Sequence, residues 1–153
     1  MKLSPNFSLE ELTYTSTGLA NEPDASAKTK LLYLANYLLQ PVRDRWGALT
    51  ISSGFRNMVV NSVIGGASTS QHLFGEAADF IPYAVTYTYP AKCDEVFEWL
   101  VKESGLTFGQ AILEKKVKNG EIKRWIHLSL VRMNGDNNQA LIFKDGKYDT
   151  YKS

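Results

Sequence analysis

Phe108-Gly109-Gln110-Ala111-Ile112-Leu113-Glu114-Lys115-Lys116-Val117-Lys118-Asn119-Gly120-Glu121-Ile122-Lys123-Arg124-Trp125-Ile126-His127-Leu128-Ser129-Leu130-Val131 reads as two β-like runs around an Asn-Gly pair. Asn-Gly is the strongest short hairpin signal, because the tight turn needs positive φ at its central residues. With Asn119 and Gly120 as the turn, Lys118 pairs with Glu121, Val117 with Ile122 and Glu114 with Trp125. Strand side chains alternate between faces, so Glu114, Trp125 and His127 share one. Glu114 then lies diagonal to His127, roughly 7–8 Å away at the backbone. A carboxylate there can take a proton from water at a metal held by His127 without being a ligand itself. A solvated strand acid is the plainer reading, given Lys115 and Lys116 next door. Against it stands the apolar run Ala111-Ile112-Leu113, where an unneutralised acid is costly. Glu121 shares the face but sits roughly 20 Å along the strand from His127.

Outward from the hairpin, Ser8-Leu9-Glu10-Glu11 reads as a capping box opening a short helix. Residues 15–26 are rich in Thr, Gly, Asn and Pro and read as loop. Between 27 and 46, Leu31, Leu34, Ala35, Leu38 and Val42 recur at helical spacing, and Pro41 is expected to kink or split that helix. Residues 49–52 read as a strand, and Gly54-Phe55-Arg56-Asn57 turns the chain into a short helix ending at Gly65-Gly66. A loop over 67–75, a buried strand over 77–81 and a helix over 90–104 capped by Gly105 follow. A last strand and turn are expected over 140–147. The pattern predicts one α+β domain over residues 1–153, with helices packed on a small, mainly antiparallel sheet.

Composition narrows the function classes. The 153 residues carry 44% hydrophobic and 22% charged side chains and a net charge of +1. No block of like charge or basic stripe calls for nucleic acid or an anionic membrane. No apolar run is long enough to span a bilayer. The single cysteine, Cys93, cannot form an internal disulfide and sits on the apolar side of a helix, as a packed, inert thiol would. Met1-Lys2-Leu3-Ser4-Pro5-Asn6 lacks the apolar core of a signal peptide, so synthesis in the cytoplasm is expected.

The two histidines, His72 and His127, and the carboxylate Asp79 raise the chemical question. A lone histidine on a strand is usually a satisfied core or surface residue. Two His and one Asp on a shared metal leave one tetrahedral corner open to water, as in catalytic rather than structural zinc sites. Arg56 follows a strand end, where functional loops gather, and an arginine there can fork onto a substrate carboxylate; a surface arginine is an equal reading. Tyr83, Tyr87 and Tyr89 can line a groove or simply pack.

A family resemblance joins these residues. Thr50-Ile51-Ser52-Ser53-Gly54-Phe55-Arg56-Asn57, Val60-Asn61, Gly65-Gly66 and Ser70-Gln71-His72-Leu73-Phe74-Gly75-Glu76-Ala77-Ala78-Asp79 resemble the zinc D-Ala-D-Ala carboxypeptidase family of peptidoglycan peptidases, the M15 group. Phe108 to Glu114 and Trp125-Ile126-His127 look like its last motifs, and Phe7-Ser8-Leu9-Glu10-Glu11-Leu12 looks like its small, phage-type branch. The resemblance implies a hedgehog/DD-peptidase-like fold with Zn2+ on His72, Asp79 and His127. It implies that Arg56 receives a stem-peptide carboxylate and that Ser70 supports the site on the substrate side. Several family members place an acid three residues before the last His ligand; Arg124 stands there in this chain and cannot act as a base, so either Glu114 fills that role, as the hairpin register allows, or the domain is catalytically weak.

The expected function is a zinc metallopeptidase that hydrolyses peptidoglycan stem peptides as a monomer. A phage or prophage endolysin released through a holin-type pore, or a virion-associated wall enzyme, fits the missing leader. The competing expectation is a catalytically inactive, zinc-containing wall-binding or interaction module.

Overall fold

A computed structural model describes residues 1–82, 90–133, 135 and 137–151; Tyr83, Tyr87 and Tyr89 lie outside the described residues. Strands β1 (Lys2–Ser4) and β2 (Phe7–Ser8) form a small antiparallel pair that the sequence reading did not anticipate. Helix α1 (Leu9–Leu12) follows with the expected capping box, Ser8 Oγ accepting from Glu11 N and the Glu11 carboxylate accepting from Ser8 N. Helix α2 (Ala25–Leu34) runs through a π-helical turn (Ala35–Leu39) into α3 (Gln40–Trp46). Pro41 therefore does not break the helix. It occupies the first turn of α3, where a missing N–H is tolerated, and the wider π turn absorbs the irregularity just before it.

Strand β3 (Leu49–Ser53), helix α4 (Met58–Val63), a 3-10 turn (Gln71–Phe74) and strand β4 (Ala77–Pro82) come next. Helix α5 (Pro90–Lys102) then leads to β5 (Gln110–Lys118), β6 (Glu121–Ser129), β7 (Gln139–Lys144) and β8 (Lys147–Thr150). The main sheet has the order β3-β4-β6-β5-β7-β8. The β5–β6 register is the one read from the turn, with Glu114 opposite Trp125 and Lys118 opposite Glu121. Asn119 and Gly120 both have positive φ, 53° and 79°, as the tight turn requires. The sheet is antiparallel except for β5 and β7, which run parallel. The α+β architecture is as expected, with this one parallel pair inside the sheet.

Period-2 alternation divides the sheet into two faces. Ala78, Phe80, Ala111, Leu113, Ile126 and Leu128 point to the helical side and join Leu31, Leu34, Leu38, Val42, Val96, Phe97 and Leu100 in one core. Cys93 is buried in that core, and burial first, then the charge of Asp94, pushes its thiol up to about 11. It is the inert thiol expected. Asp79, Ile112, Glu114, Trp125 and His127 point the other way and line a cleft. Among the described residues no helix is long and apolar enough to cross a membrane.

Candidate metal centre

β4 and β6 are neighbours, and their register sets Asp79 directly opposite His127. His72 reaches the same spot from the 3-10 turn. That turn is capped by Ser70, whose Oγ accepts from His72 N at 3.2 Å, and it ends on Gly75, whose positive φ of 74° favours glycine. Ser70 thus holds the turn that carries His72 and also lines the cleft. The donor atoms of His72, Asp79 and His127 all lie within 4.8 Å of one another.

The donor chemistry fits a cation. A backbone carbonyl can only accept, so His72 Nδ1, 2.7 Å from Gly54 O, carries the proton and leaves a lone pair on Nε2. His72 is 2% exposed. Burial lowers its pKa, opposed by the Asp79 charge. Its Nε2 then faces Asp79 Oδ1 at 3.4 Å, and His127 Nδ1 faces the same oxygen at 2.9 Å. Burial opposes ionisation of Asp79, but the two imidazoles hold its carboxyl well below the usual range. A lone pair and a carboxylate meeting in a buried place need a positive charge between them. Tetrahedral zinc with bonds near 2.0–2.1 Å sets its ligand atoms about 3.3 Å apart, close to the 3.4 Å and 2.9 Å that separate the two histidine nitrogens from Asp79 Oδ1.

Gly54 has more to do than the plain turn expected of it. Its carbonyl fixes the tautomer of His72, the outer contact that orients metal-binding imidazoles. A Cβ at Gly54 would run into the backbone carbonyl of Leu12. Gly54→Ala should cost about 1–3 kcal/mol in urea unfolding. It should also weaken zinc about 10–100-fold in a competition titration with a chromophoric chelator, because the carbonyl moves. Wild-type zinc affinity in a destabilised Gly54→Ala protein would remove Gly54 from the site.

Glu114 sits one row further along the sheet. Its partner Trp125 gives it a hydrogen bond, and indole offers only its N–H as donor. Burial first, then the Asp79 charge, pushes its carboxyl up to about 7, against the pull of His127, Trp125 and Arg56. Arg124 lies at an odd offset from His127 and so on the opposite face, where its Nη1 holds Asp94 of α5 at 2.9 Å. The position three before the last histidine does not face this cleft at all.

Arg56 lines the cleft on the β3 side. Its backbone N–H is tied to His72 O at 3.0 Å, and Nη1 donates weakly to Asn61 Oδ1 at 3.3 Å. Its buried Nε has no hydrogen-bond partner among the described residues. Burial lowers the Arg56 pKa, opposed by the charges of Asp79 and Glu114. The guanidinium lines the cleft, where its fork of donors can meet an incoming anion.

Two supports escaped the sequence reading. Asn21 donates to Thr13 O and Phe55 O and accepts from Asn57 N, tying the first loop to the segment that bears Arg56. Glu76 is clamped by Lys30 at 2.9 Å and Arg132 at 2.8 Å, locking α2 and the end of β6 beside the His72 turn. Neither has a local motif. Both depend on chain segments that meet only after folding.

Comparison with known proteins agrees with this geometry. The sequence model of the Peptidase M15 family matches residues 5–104. A zinc D-Ala-D-Ala carboxypeptidase from Streptomyces albus G is 34% identical over 77 residues, covering 48% of this chain and 30% of that relative. The matched stretch therefore spans about a third of the relative's own length. Glu114 and His127 lie beyond the family match, and the sheet register brings them to the matched half of the site.

Proposed function

The chain belongs to the peptidase M15 family, and from that premise we propose that it binds zinc through His72, Asp79 and His127 and hydrolyses a peptide bond in the stem peptide of bacterial peptidoglycan. The observation that carries this reading is the convergence of the three donors in a cleft of about 500 Å³ that also contains Glu114 and Arg56. Its likeness to a zinc D-Ala-D-Ala carboxypeptidase supports a substrate of that chemistry.

Zinc, when bound, supplies Lewis-acid polarisation of the scissile carbonyl and brings the pKa of a bound water to about 7. The chain's own residues do the rest. Glu114, oriented by Trp125, accepts a proton from the attacking water and passes it to the leaving amine nitrogen as the C–N bond breaks. Arg56 presents its guanidinium, which lines the cleft, to a substrate carboxylate and fixes the peptide's direction. Gly54 holds His72 in its ligand tautomer, and Ser70 holds the turn that carries it.

Digestion of purified peptidoglycan, with mass analysis of the fragments, tests the proposal. Zinc-loaded protein should release shortened or uncoupled stem peptides. A chelator should stop release, and added zinc should restore it. Intact peptidoglycan in every arm, with one zinc bound per chain, would favour a non-catalytic wall-binding module.

A further inference from the structure

The cleft continues past Glu114 onto the last two strands. The pairings run in rows across the sheet: Gln110 with Gln139; His127, Ile112, Leu141 and Thr150; Trp125, Glu114, Phe143 and Tyr148. Row partners share a face, so Gln139 and Tyr148 stand on the same side as the metal donors, and both line the cleft.

We propose that Gln110, Gln139 and Tyr148 form a second substrate-binding subsite, which takes the peptide segment on the amino side of the scissile bond. The proposal rests on the stem-peptide reading above and assigns the direction in which that peptide lies.

The topology carries the direction. Arg56 follows β3 at one edge of the sheet, Asp79 and His127 lie on β4 and β6, and Tyr148 lies on β8 at the other edge. A peptide with its carboxylate at Arg56 and its scissile carbonyl at the triad must run on toward β7 and β8. From β6 to β8 is about 14 Å at ordinary strand spacing, the length of roughly four extended residues.

The chemistry suits a peptide backbone. Gln110 Nε2 donates to Gln139 Oε1 at 3.0 Å. That bond leaves Gln110 Oε1 as an acceptor and Gln139 Nε2 as a donor, the pair that a passing amide needs. The Tyr148 ring packs on Phe143 with centroids 4.6 Å apart, which fixes the phenol without using its hydroxyl. Burial and the neighbouring charges of Glu114 and Asp79 push that phenol up, so it is a donor at neutral pH.

The test compares kcat/KM of the zinc-loaded protein on an acetylated D-Ala-D-Ala dipeptide and on a full stem pentapeptide. Loss of one or two hydrogen bonds in Tyr148→Ala or Gln110→Ala/Gln139→Ala should lower the pentapeptide-to-dipeptide ratio about tenfold, chiefly through KM. Tyr148→Phe should show part of that loss, since it keeps the ring and drops only the hydroxyl. Zinc content and melting temperature confirm that the variants are folded. An unchanged ratio in all three variants overturns the subsite. If wild type cleaves neither peptide, the peptidase reading fails instead, and calorimetric binding of the pentapeptide decides the subsite. Weaker binding in the variants sustains it, while equal binding or none ends it.

Discussion

Glu114→Gln is expected to bind zinc like wild type and to lose about 10²–10⁴-fold in peptide hydrolysis. The glutamine keeps the shape of the side chain and can still accept from Trp125, but it cannot take a proton from water. Cleavage in the wild type should fall on acidification through about 7, the value to which burial raises the Glu114 carboxyl, with bound zinc moving that fall to lower pH. The same substitution has an opposite consequence for stability. In the metal-free protein the folded carboxyl titrates near 7, against 4.5 for the ordinary group. Between those values the folded state holds a proton that the unfolded chain has released, so stability declines as pH rises through the window. Removing the charge removes the decline. At pH 8, metal-free Glu114→Gln should be more stable than wild type by about 1–3 kcal/mol, discounted for partial exposure. At pH 4 the two should unfold alike. Chemical denaturation at both pH values, beside a cleavage assay and a zinc titration, reads all of this. Full hydrolysis by Glu114→Gln would take the base role away from Glu114.

The reason so much of this site could be read in advance is that its key distance is set by a turn. Asn119-Gly120 fixes the register of β5 and β6, and the register fixes which side chains share a face with His127. The same rule explains why Arg124 is irrelevant to the cleft, since an odd offset sends it to the helical side. Asp79 opposite His127 is a different matter. Nothing local pairs β4 with β6, and residues 83–107 separate β4 from the hairpin, so only the family resemblance put those two residues together. Tertiary context likewise hid the parallel β5–β7 pair, because a short apolar run such as Ala140-Leu141-Ile142-Phe143 looks the same whichever way its neighbour points. The β1–β2 pair is too short to show a period. Pro41 announces a helix irregularity but not its form, and a π turn satisfies the backbone as well as a break does. Gly54 carried no chemical signal because its contribution is a carbonyl, which every residue has; only the fold shows that His72 donates to this one.

The second large effect follows from the same buried cluster. Zinc should raise the melting temperature of the wild-type protein by roughly 8–16 °C at a concentration about a thousandfold above its dissociation constant. That figure combines about 4 kcal/mol of binding linkage with about 2–4 °C per kcal/mol for a chain of this length. Asp79→Asn should abolish most of that rise. Outer contacts to metal ligands cost about 10–100-fold in affinity when lost, and Asp79 would be a ligand, so its loss must cost more. The isosteric amide also removes the negative charge that offsets the cation. The metal-free variant should respond differently from the loaded one. Without the Asp79 charge, Glu114 loses its second-largest source of upward pKa shift and ionises more readily. The metal-free thermal curves of wild type and Asp79→Asn should lie closer together than their zinc-loaded curves, because only the loaded pair differs by the binding linkage. A zinc-induced shift of equal size in both proteins would show that the ion binds elsewhere, and that the His72–Asp79–His127 cluster is an ordinary buried hydrogen-bond network.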